Sequence, residues 1–333
     1  MCAVMLGTHD GHWNLRIEMP MGSQFLEAKP RGHFYFTYWF VEAWRRLGGC
    51  VKADSSLPHL LRVGCGRYLG FNCMRLKGKL VVCGWHRIES ATWPWNYFWE
   101  IVPMMWDLWP CNYKYFVRYL KLNRVRLAFI TSTVNVARLR QDLPNVRFVW
   151  IPEAVEISAY PRGPILKNRR IDVLSYGRQN EKLHEILAEA ADRGDIKYQR
   201  GAGFELESLI RDLQSSRITI TYPRSYTNPE IAGNVETLTI RYWEAMLTGV
   251  VMVGKAPKEL VDVCGYDPVI PMDEANCMSV IMHILKNIGQ YQGMVERNRK
   301  TAELYGGWED RLRVIKSNLA GDRVEYVNLE VNS

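Results

Sequence analysis

The sequence predicts an α/β protein with two domains, each built around a parallel sheet. Runs rich in Val, Ile and aromatic residues alternate with helix-period segments through most of the chain, which is the pattern of parallel strands joined by crossover helices. The chain has 333 residues, whereas one hydrophobic core usually accommodates about 250–300 residues. Residues 152–170 are polar and lack periodicity. We therefore expect an N-terminal domain over residues 1–155 and a C-terminal domain over residues 156–333.

In the N-terminal half, four apolar runs predict strands and three periodic segments predict helices. The predicted strands are residues 80–85, 101–106, 125–131 and 146–151. The predicted helices are residues 34–47, 113–122 and 134–142. Apart from the first of these helices, residues 1–75 show no clear pattern.

The C-terminal half has the pattern of a doubly wound parallel sheet. The predicted strands are residues 171–176, 196–199, 218–222 and 250–253. The predicted helices are residues 181–193, 205–215 and 236–248, followed by several more. Ligands of such sheets bind outside the carboxyl ends of the strands, so we expect loops 177–179, 223–235 and 254–256 to line one edge.

The charge is distributed unevenly. Residues 1–155 hold 20 lysines and arginines against 10 aspartates and glutamates, a net charge of +10, whereas residues 156–333 have a net charge of −2. Ten of the twelve tryptophans also lie in the first half. A basic, tryptophan-rich domain suits an anionic partner such as a phosphate, a membrane surface or a nucleic acid. The alternative is that solvated cationic faces and core tryptophans merely coincide.

Several classes of protein are excluded by composition and spacing. The eight cysteines form no C-x-x-C pair, and no H-E-x-x-H occurs, so we expect no metal. No apolar run reaches the roughly 18–20 residues that span a bilayer. The first twenty residues include His9, Asp10, Arg16 and Glu18, where the core of a signal peptide would be apolar. We therefore expect a cytoplasmic protein without a transmembrane helix.

Two glutamates separated by seven residues mark the candidate chemistry. If a helix begins near Glu236, Glu236 and Glu244 lie about 12 Å apart along its axis, roughly the span from a transferred sugar across a diphosphate to a ribose. Between them, the backbone N–H groups of Thr237, Leu238 and Thr239 and the helix dipole form an anion site suited to a pyrophosphate. The alternative is an amphipathic helix with one glutamate at its start and one in solvent.

Basic residues follow the predicted strand 171–176. Arg178 comes directly after its end, and Lys182 lies one helical turn further on. Cations at the carboxyl end of a strand are placed to neutralise a leaving diphosphate.

Together these motifs resemble the GT-B glycosyltransferases of the retaining, E-x7-E type. The resemblance extends over roughly residues 106–273 and is densest at residues 170–178, 222–229, 236–249 and 257–260. It implies two Rossmann-like domains facing across a cleft. The C-terminal domain would bind the nucleotide-sugar donor and the N-terminal domain the acceptor.

The resemblance also implies roles for individual residues. Glu236 would face the hydroxyl groups of the donor sugar and Glu244 the ribose, whereas Arg178 and Lys182 would bind the diphosphate. In retaining members, the attacking hydroxyl approaches on the side of the leaving group, and a phosphate oxygen takes its proton. No Asp-x-Asp motif occurs, so we expect metal-independent catalysis, with the helix N–H groups and these two cations stabilising the phosphate.

Two residues of the N-terminal half follow predicted strands and would point into the cleft. His86 comes after strand 80–85 and could bind a sugar hydroxyl, although a surface or core histidine is the alternative. Asp107 comes after strand 101–106 and could orient the acceptor. Its neighbours Trp106 and Trp109 favour sugar binding, because aromatic rings stack on sugars beside a hydrogen-bonding carboxylate.

The expected partners are a nucleoside-diphosphate sugar and a glycan or lipid-linked acceptor, with no cofactor and no nucleic acid. We expect the N-terminal domain to contact a membrane surface, because its basic charge accompanies a cluster of tryptophans. These tryptophans are Trp93, Trp95, Trp99, Trp106 and Trp109. The alternative is that they are core residues.

Two other functions stay open. Gly64, Gly66 and Gly70 resemble a dinucleotide fingerprint with one extra residue in the second interval, which would indicate an oxidoreductase. A non-catalytic protein that binds sugar nucleotides or nucleic acid would also explain the basic first half.

Overall fold

The structure is a computed structural model. It describes residues 3–6, 8–9, 12–18, 35–51, 65, 78–84, 88, 92–178, 180–201 and 205–326. Within this part of the chain, two sheets are surrounded by helices, which is the α/β architecture that the sequence predicts.

An eight-stranded sheet forms the centre of the N-terminal part. Its strand order is β2-β3-β1-β5-β6-β7-β8, and β4 pairs with β3. Its strands are β1 (Ala3–Leu6), β2 (Thr8–His9), β3 (His12–Glu18), β4 (Gly49–Val51), β5 (Lys79–Gly84), β6 (Glu100–Met105), β7 (Leu127–Ile130) and β8 (Arg147–Trp150). Strands β5 to β8 are consecutive parallel neighbours. The four strands predicted in this half are confirmed, each within two residues at either end.

Three helices of this part match the predicted helices. They are α1 (Tyr35–Arg46), α2 (Pro110–Leu122) and α3 (Thr133–Asp142). Helix α2 begins three residues earlier than predicted, because Pro110 occupies its first position, where the missing N–H has no intrahelical partner to lose. The helix buries Tyr113, Phe116 and Leu120 at helical spacing, and its opposite face is exposed.

The tryptophans predicted to contact a membrane are core residues. Trp99, Trp106 and Trp109 are 4%, 0% and 1% exposed. Trp93 and Trp95 are half-buried, and their indole nitrogens are inaccessible to solvent. The predicted interfacial role of this cluster is therefore wrong. The residues lie at the ends of β6, where helices cover the parallel sheet and large aromatic rings fill the space between the layers.

A five-stranded, fully parallel sheet forms the centre of the C-terminal part, in the order β10-β9-β11-β12-β13. Its strands are β9 (Ile171–Ser175), β10 (Tyr198–Arg200), β11 (Ser216–Thr221), β12 (Val251–Gly254) and β13 (Ile270–Pro271). The helices are α4 (Glu181–Asp192), α5 (Leu206–Ser215), α6 (Arg224–Thr227), α7 (Pro229–Ala232), α8 (Ile240–Thr248), α9 (Lys258–Cys264), α10 (Cys277–Lys286), α11 (Gln292–Tyr305) and α12 (Trp308–Ala320). The predicted doubly wound sheet is confirmed.

The last helix returns to the first sheet. Helix α11 packs against α8, whereas α12 packs against α1. Phe40 and Trp308 meet edge to face, with ring centroids 5.0 Å apart. Lys79 Nζ donates to the carbonyl oxygen of Leu319 at 2.7 Å. The chain thus crosses between the two sheets twice, and a boundary at residue 155 stays a prediction.

A buried arginine joins the two segments in which the chain crosses between the sheets, one after β8 and the other before α12. The side chain of Arg311 is 0% exposed, and burial lowers its pKa. Its Nε donates to the carbonyl oxygen of Pro152 at 2.8 Å, and its Nη1 donates to those of Tyr305 at 2.7 Å and Gly307 at 2.8 Å. Because a guanidinium presents several donors in a fixed plane, one side chain satisfies three carbonyl groups of two separate segments.

Arg311→Leu should therefore destabilise the protein. The substitution removes the guanidinium donor from all three carbonyl groups, of which that of Tyr305 keeps the hydroxyl of Tyr326 at 3.1 Å, and we expect a loss of roughly 2–4 kcal/mol in the free energy of unfolding. Urea denaturation followed by circular dichroism measures it. Arg313→Leu, an exposed arginine on the same helix that pairs with Asp310, is the control and should change stability by less than about 0.5 kcal/mol. Equal losses in the two variants would contradict this role.

Candidate active site

Charged residues from both sheets meet where their strands end. Asp107 and Glu153 follow β6 and β8 of the first sheet, and Arg178 and Arg224 follow β9 and β11 of the second. The charges of Asp107, Glu153, Arg224 and Arg241 all act on Arg178 and shift its pKa. The structure therefore brings Asp107 and Arg178 together, as predicted from their positions after strands.

Three arginines, Arg178, Arg224 and Arg241, form what we call the arginine cluster. Burial and the charges of the other two guanidinium groups lower the pKa of Arg178 to about 10, although Asp107 and Glu153 act in the opposite direction. Arg178 therefore remains a cation at neutral pH. A half-buried group of three like charges favours the binding of an anion.

A glycine allows two of these arginines to approach each other. Gly177 has φ +68°, and Arg241 Nη1 donates to the carbonyl oxygen of Arg178 at 3.2 Å. A Cβ atom at Gly177 would lie 2.4 Å from Arg241 Nη2. Only glycine combines this left-handed conformation with the close approach of a guanidinium.

Arg224 connects the cluster to the N-terminal part. Its guanidinium carbon lies 4.7 Å from the ring centroid of Trp109, which directly precedes α2. This is the geometry of a cation–π contact. The Nε atom of Arg224 is buried and has no hydrogen-bond acceptor within the described chain.

The glutamates separated by seven residues do not share a helix. Helix α8 begins at Ile240, so the predicted start at Glu236 is wrong by four residues. Thr239 is extended, with φ −91° and ψ 160°. A helix from Glu236 would pair the N–H of Ile240 with the carbonyl oxygen of Glu236, but that N–H donates to Glu153, and the carbonyl oxygen accepts from Ser132 Oγ at 2.9 Å.

The N–H groups predicted to bind a pyrophosphate are not the first turn of a helix. Thr237, Leu238 and Thr239 precede α8, and the N–H of Leu238 donates to Glu259 Oε2 at 2.7 Å. The true first turn begins with Ile240, whose N–H donates to Glu153 Oε2 at 3.1 Å. A carboxylate from the first sheet's side thus occupies the end of α8 where an anion is favoured.

The carboxylate of Glu236 lies at the carboxyl end of β12. It accepts hydrogen bonds from Lys255 Nζ at 3.0 Å and from Ser225 Oγ at 3.4 Å. The ion pair with Lys255 compensates its charge. Glu236 therefore lies beside the loops 223–235 and 254–256, which the sequence predicts at this edge.

Glu244 is buried inside α8. It is 1% exposed, and its carboxylate accepts hydrogen bonds from the hydroxyl groups of Tyr160 at 2.9 Å and Tyr176 at 3.3 Å. Burial and this carboxylate raise the pKa of Tyr176. A ribose could reach Glu244 only if a tyrosine side chain moved aside, and the ribose contact stays a prediction.

Lys182 and His86 are not part of the described cluster. Lys182 is largely exposed at the start of α4, and its ammonium lies 3.6 Å from Glu274. Asn180 caps this helix by accepting from the N–H of Lys182 at 3.1 Å. His86 lies outside the described residues, as does the glycine pattern at residues 64–70 apart from residue 65.

Glu153 is a site residue that the sequence analysis missed. Burial of its carboxyl group, together with the charges of Asp107 and Glu244, raises its pKa to about 8, although the N–H of Ile240 and Arg178 act in the opposite direction. Its carbonyl oxygen accepts from Trp243 Nε1 at 3.0 Å. The signal was available, because Glu153 follows a strand end as Asp107 does.

Asp107 adopts an unusual backbone conformation. Its φ is +50°, in the left-handed region that non-glycine residues rarely occupy. Such conformations concentrate at functional sites, where the surrounding structure enforces them. Within the described part of the chain, no three His, Cys, Asp or Glu side chains are grouped as a metal site.

The sequence matches no protein-family model and no curated protein. Solved structures with a similar fold exist. One is sucrose-phosphate synthase from Thermosynechococcus elongatus, with a TM-score of 0.60 and 11% identity over 90% of this chain and 97% of that chain. Another is HepE from Anabaena in complex with UDP-glucose, with a TM-score of 0.55 and 10% identity over 88% of this chain and 97% of that chain.

These structural neighbours are GT-B glycosyltransferases. At such low identity the likeness concerns the fold. The protein therefore has the GT-B fold, in which two Rossmann-like domains face each other across a cleft.

The raised pKa of Glu153 predicts a pH-dependent stability. Between about 4.5 and 8 the folded protein holds a proton that the unfolded chain releases, so this group lowers the free energy of unfolding as pH rises through that range. Glu153→Gln lacks the ionisation and should gain stability relative to the unsubstituted protein as pH rises. Thermal unfolding across this range tests it, with the exposed Glu185→Gln as control. A constant difference between the Glu153→Gln and unsubstituted proteins would contradict the assignment.

Proposed function

We propose that this protein is a glycosyltransferase that moves a sugar from a nucleoside-diphosphate donor to a hydroxyl group of an acceptor. The observation that carries the proposal is the arginine cluster at the carboxyl edge of the second sheet, opposite Asp107 and Glu153 of the first. Ligands of doubly wound sheets bind at this edge. Structures of HepE, which has this fold, contain UDP, glucose and UDP-glucose.

In this proposal the arginine cluster binds the donor's diphosphate. Guanidinium groups grip two phosphate oxygens at once, and three of them offset the charge of a diphosphate. The Nε of Arg224, which has no acceptor within the described chain, would also donate to a phosphate oxygen. Lys182 stays a secondary candidate at the start of α4, and Glu244 stays the candidate for the ribose.

We assign the sugar to Glu236 and the acceptor to Asp107. The bond between the anomeric carbon and the phosphate oxygen breaks, and the acceptor oxygen bonds to that carbon. If transfer is retaining, the acceptor hydroxyl approaches on the leaving-group side and passes its proton to the departing phosphate. Asp107 would orient that hydroxyl group, and His86 would bind a sugar hydroxyl. We propose metal-independent transfer, because the arginines supply the positive charge that a metal would otherwise supply.

A panel of donors tests the proposal. UDP-, GDP- and ADP-sugars are incubated with glycan and lipid-linked acceptors, and products are identified by mass. We expect transfer from one donor class that persists in a chelator. Loss of transfer in the chelator would refute metal independence. If a nucleoside diphosphate raises the melting temperature but no donor and acceptor pair gives product, a non-catalytic binder becomes the better assignment.

The two predicted diphosphate ligands should differ in importance. Arg178→Ala should lower turnover and nucleoside-diphosphate affinity by roughly 2–4 kcal/mol, because the half-buried guanidinium that the proposal assigns to the phosphate is lost. Lys182→Ala should cost less than about 1 kcal/mol, because its exposed ammonium already pairs with Glu274. Steady-state kinetics and calorimetric titration compare them. Equal losses in Arg178→Ala and Lys182→Ala would contradict the assignment of the diphosphate to the arginine cluster.

We also propose that the N-terminal domain contacts an anionic membrane surface through α2, where it would meet a lipid-linked acceptor. The outer face of this helix carries Lys114, Arg118 and Lys121, all exposed and without an ion pair to any described residue. With Val117 and Leu122 they line a depression of about 470 Å³. Apolar groups between cations suit the boundary between lipid headgroups and acyl chains. In the part of the chain that the structure covers, no helix has the length and apolar character to cross a bilayer.

Replacing these three cations by glutamate should abolish vesicle binding. Each lysine or arginine near an anionic surface contributes about 1 kcal/mol, so the triple variant should bind vesicles containing about 30% phosphatidylserine at least tenfold more weakly. Flotation at low and high salt measures this. A triple variant at the exposed Arg211, Lys286 and Lys300 has the same net charge and should still float at low salt. Equal flotation of the two variants would rule out α2.

A further inference from the structure

A buried glutamate outside the arginine cluster binds both halves of the molecule. Glu259, on α9, is 2% exposed. Its Oε1 accepts from the backbone N–H of Thr133 at 2.6 Å and from the Oγ1 hydroxyl of the same residue at 2.9 Å. Its Oε2 accepts from the N–H of Leu238 at 2.7 Å. One carboxylate therefore has three donors, with each oxygen facing a different segment.

These segments come from opposite sides of the cleft. Thr133 is the first residue of α3, which belongs to the first sheet, and Leu238 lies two residues after Glu236 in the second. A second bond lies beside the first, because Ser132 Oγ donates to the carbonyl oxygen of Glu236 at 2.9 Å. The extended segment that carries Glu236 is thus bonded at two points, at the carbonyl oxygen of Glu236 by Ser132 and at the N–H of Leu238 by Glu259.

We infer that Glu259 is a positioning residue that fixes Glu236 against the start of α3, so that contact between the two domains determines where the sugar-facing carboxylate lies. The functional half of this inference rests on the proposed function, which assigns the donor sugar to Glu236. The structural half, a carboxylate bridge between Thr133 and Leu238, does not.

Only an ionised carboxylate makes this bridge. Both of its oxygens accept, whereas a glutamine presents one accepting oxygen and one NH2 group that would face an N–H donor. Aspartate keeps both oxygens but is one methylene shorter. The N–H of Leu238 is buried at the bridge and that of Thr133 is partly buried, so replacing either oxygen by a donor leaves one of them without an acceptor.

The bridge should weaken in acid. Burial and the charge of Glu236 raise the pKa of Glu259 to about 7, although the hydrogen bonds from Thr133 and Leu238 lower it. Above this pH the ionised group accepts from both segments, and below it one oxygen becomes a donor. The remaining charges at this place are compensated: Glu236 pairs with Lys255, and Lys258 of α9 pairs with Asp262.

Amide hydrogen exchange tests the bridge without any substrate. In Glu259→Gln, we expect whichever of the N–H groups of Thr133 and Leu238 faces the NH2 group to exchange at least about tenfold faster near pH 8 than in the unsubstituted protein. In the unsubstituted protein their protection, corrected for intrinsic rates, should fall between pH 8 and pH 6. Asp262→Asn, on the same helix but at the surface, is the matched control and should change neither amide. Unchanged protection in Glu259→Gln would overturn the bridge.

Kinetics test the positioning role. Glu259→Gln should keep its affinity for UDP, or for the nucleotide of whichever donor is accepted, within about twofold while kcat falls about 10- to 100-fold, because the sugar contact and not the nucleotide contact is displaced. The acid limb of the kcat profile near pH 7 should disappear, and Glu259→Asp should recover part of the rate. Parallel losses of kcat, nucleotide affinity and melting temperature would indicate a merely structural residue. If the unsubstituted protein transfers no sugar, the proposed function fails, whereas the exchange experiment still decides the bridge.

Discussion

The arginine cluster lies where the carboxyl ends of strands from the two sheets meet, one sheet mixed and the other parallel, and its charge must be balanced there by carboxylates or by a bound anion. Asp107 supplies part of this balance from the first sheet, and Glu153 adds to it only in its ionised form. The carboxyl group of Glu153 also accepts a hydrogen bond from the N–H of Ile240, the first residue of α8, so it interacts with both the helix end and the arginines. Burial that lowers the pKa of Arg178 to about 10 raises that of Glu153 to about 8. Each group thus depends on the other side of the cleft.

The two halves are joined by buried polar groups as well as by the chain. Arg311 ties the two crossings by donating to three carbonyl groups. Glu259 joins the start of α3 to the segment before α8. Buried polar groups of this kind are costly without partners, and both oxygens of Glu259 and two of the three nitrogens of Arg311 have one. The arrangement of the two sheets is therefore determined by a few directional contacts close to the candidate site.

The basic charge of the first half has an explanation separate from its tryptophans. Trp99, Trp106 and Trp109 fill the core, and Trp109 also supports Arg224 across the cleft. Three of the exposed cations lie on the outer face of α2, away from its buried aromatic residues. The composition shows only that tryptophans and basic residues are both abundant in the first half. Their burial shows that the tryptophans lie in the core and the cations at the surface.

The alternation of strands and helices, the parallel sheets and the position of Asp107 and Arg178 at strand ends could all be predicted from the sequence, because periodicity and strand ends are local properties of the chain. The start of α8 could not. Helical spacing places it at Glu236, but the N–H of Ile240 and the carbonyl oxygen of Glu236, which such a helix would pair, bond to Glu153 and Ser132, which are distant in sequence. The roles of Glu153 and Glu259 likewise depend on partners from other segments. Only the tertiary structure decides such pairings, because a buried polar group must find its partner wherever the fold brings one.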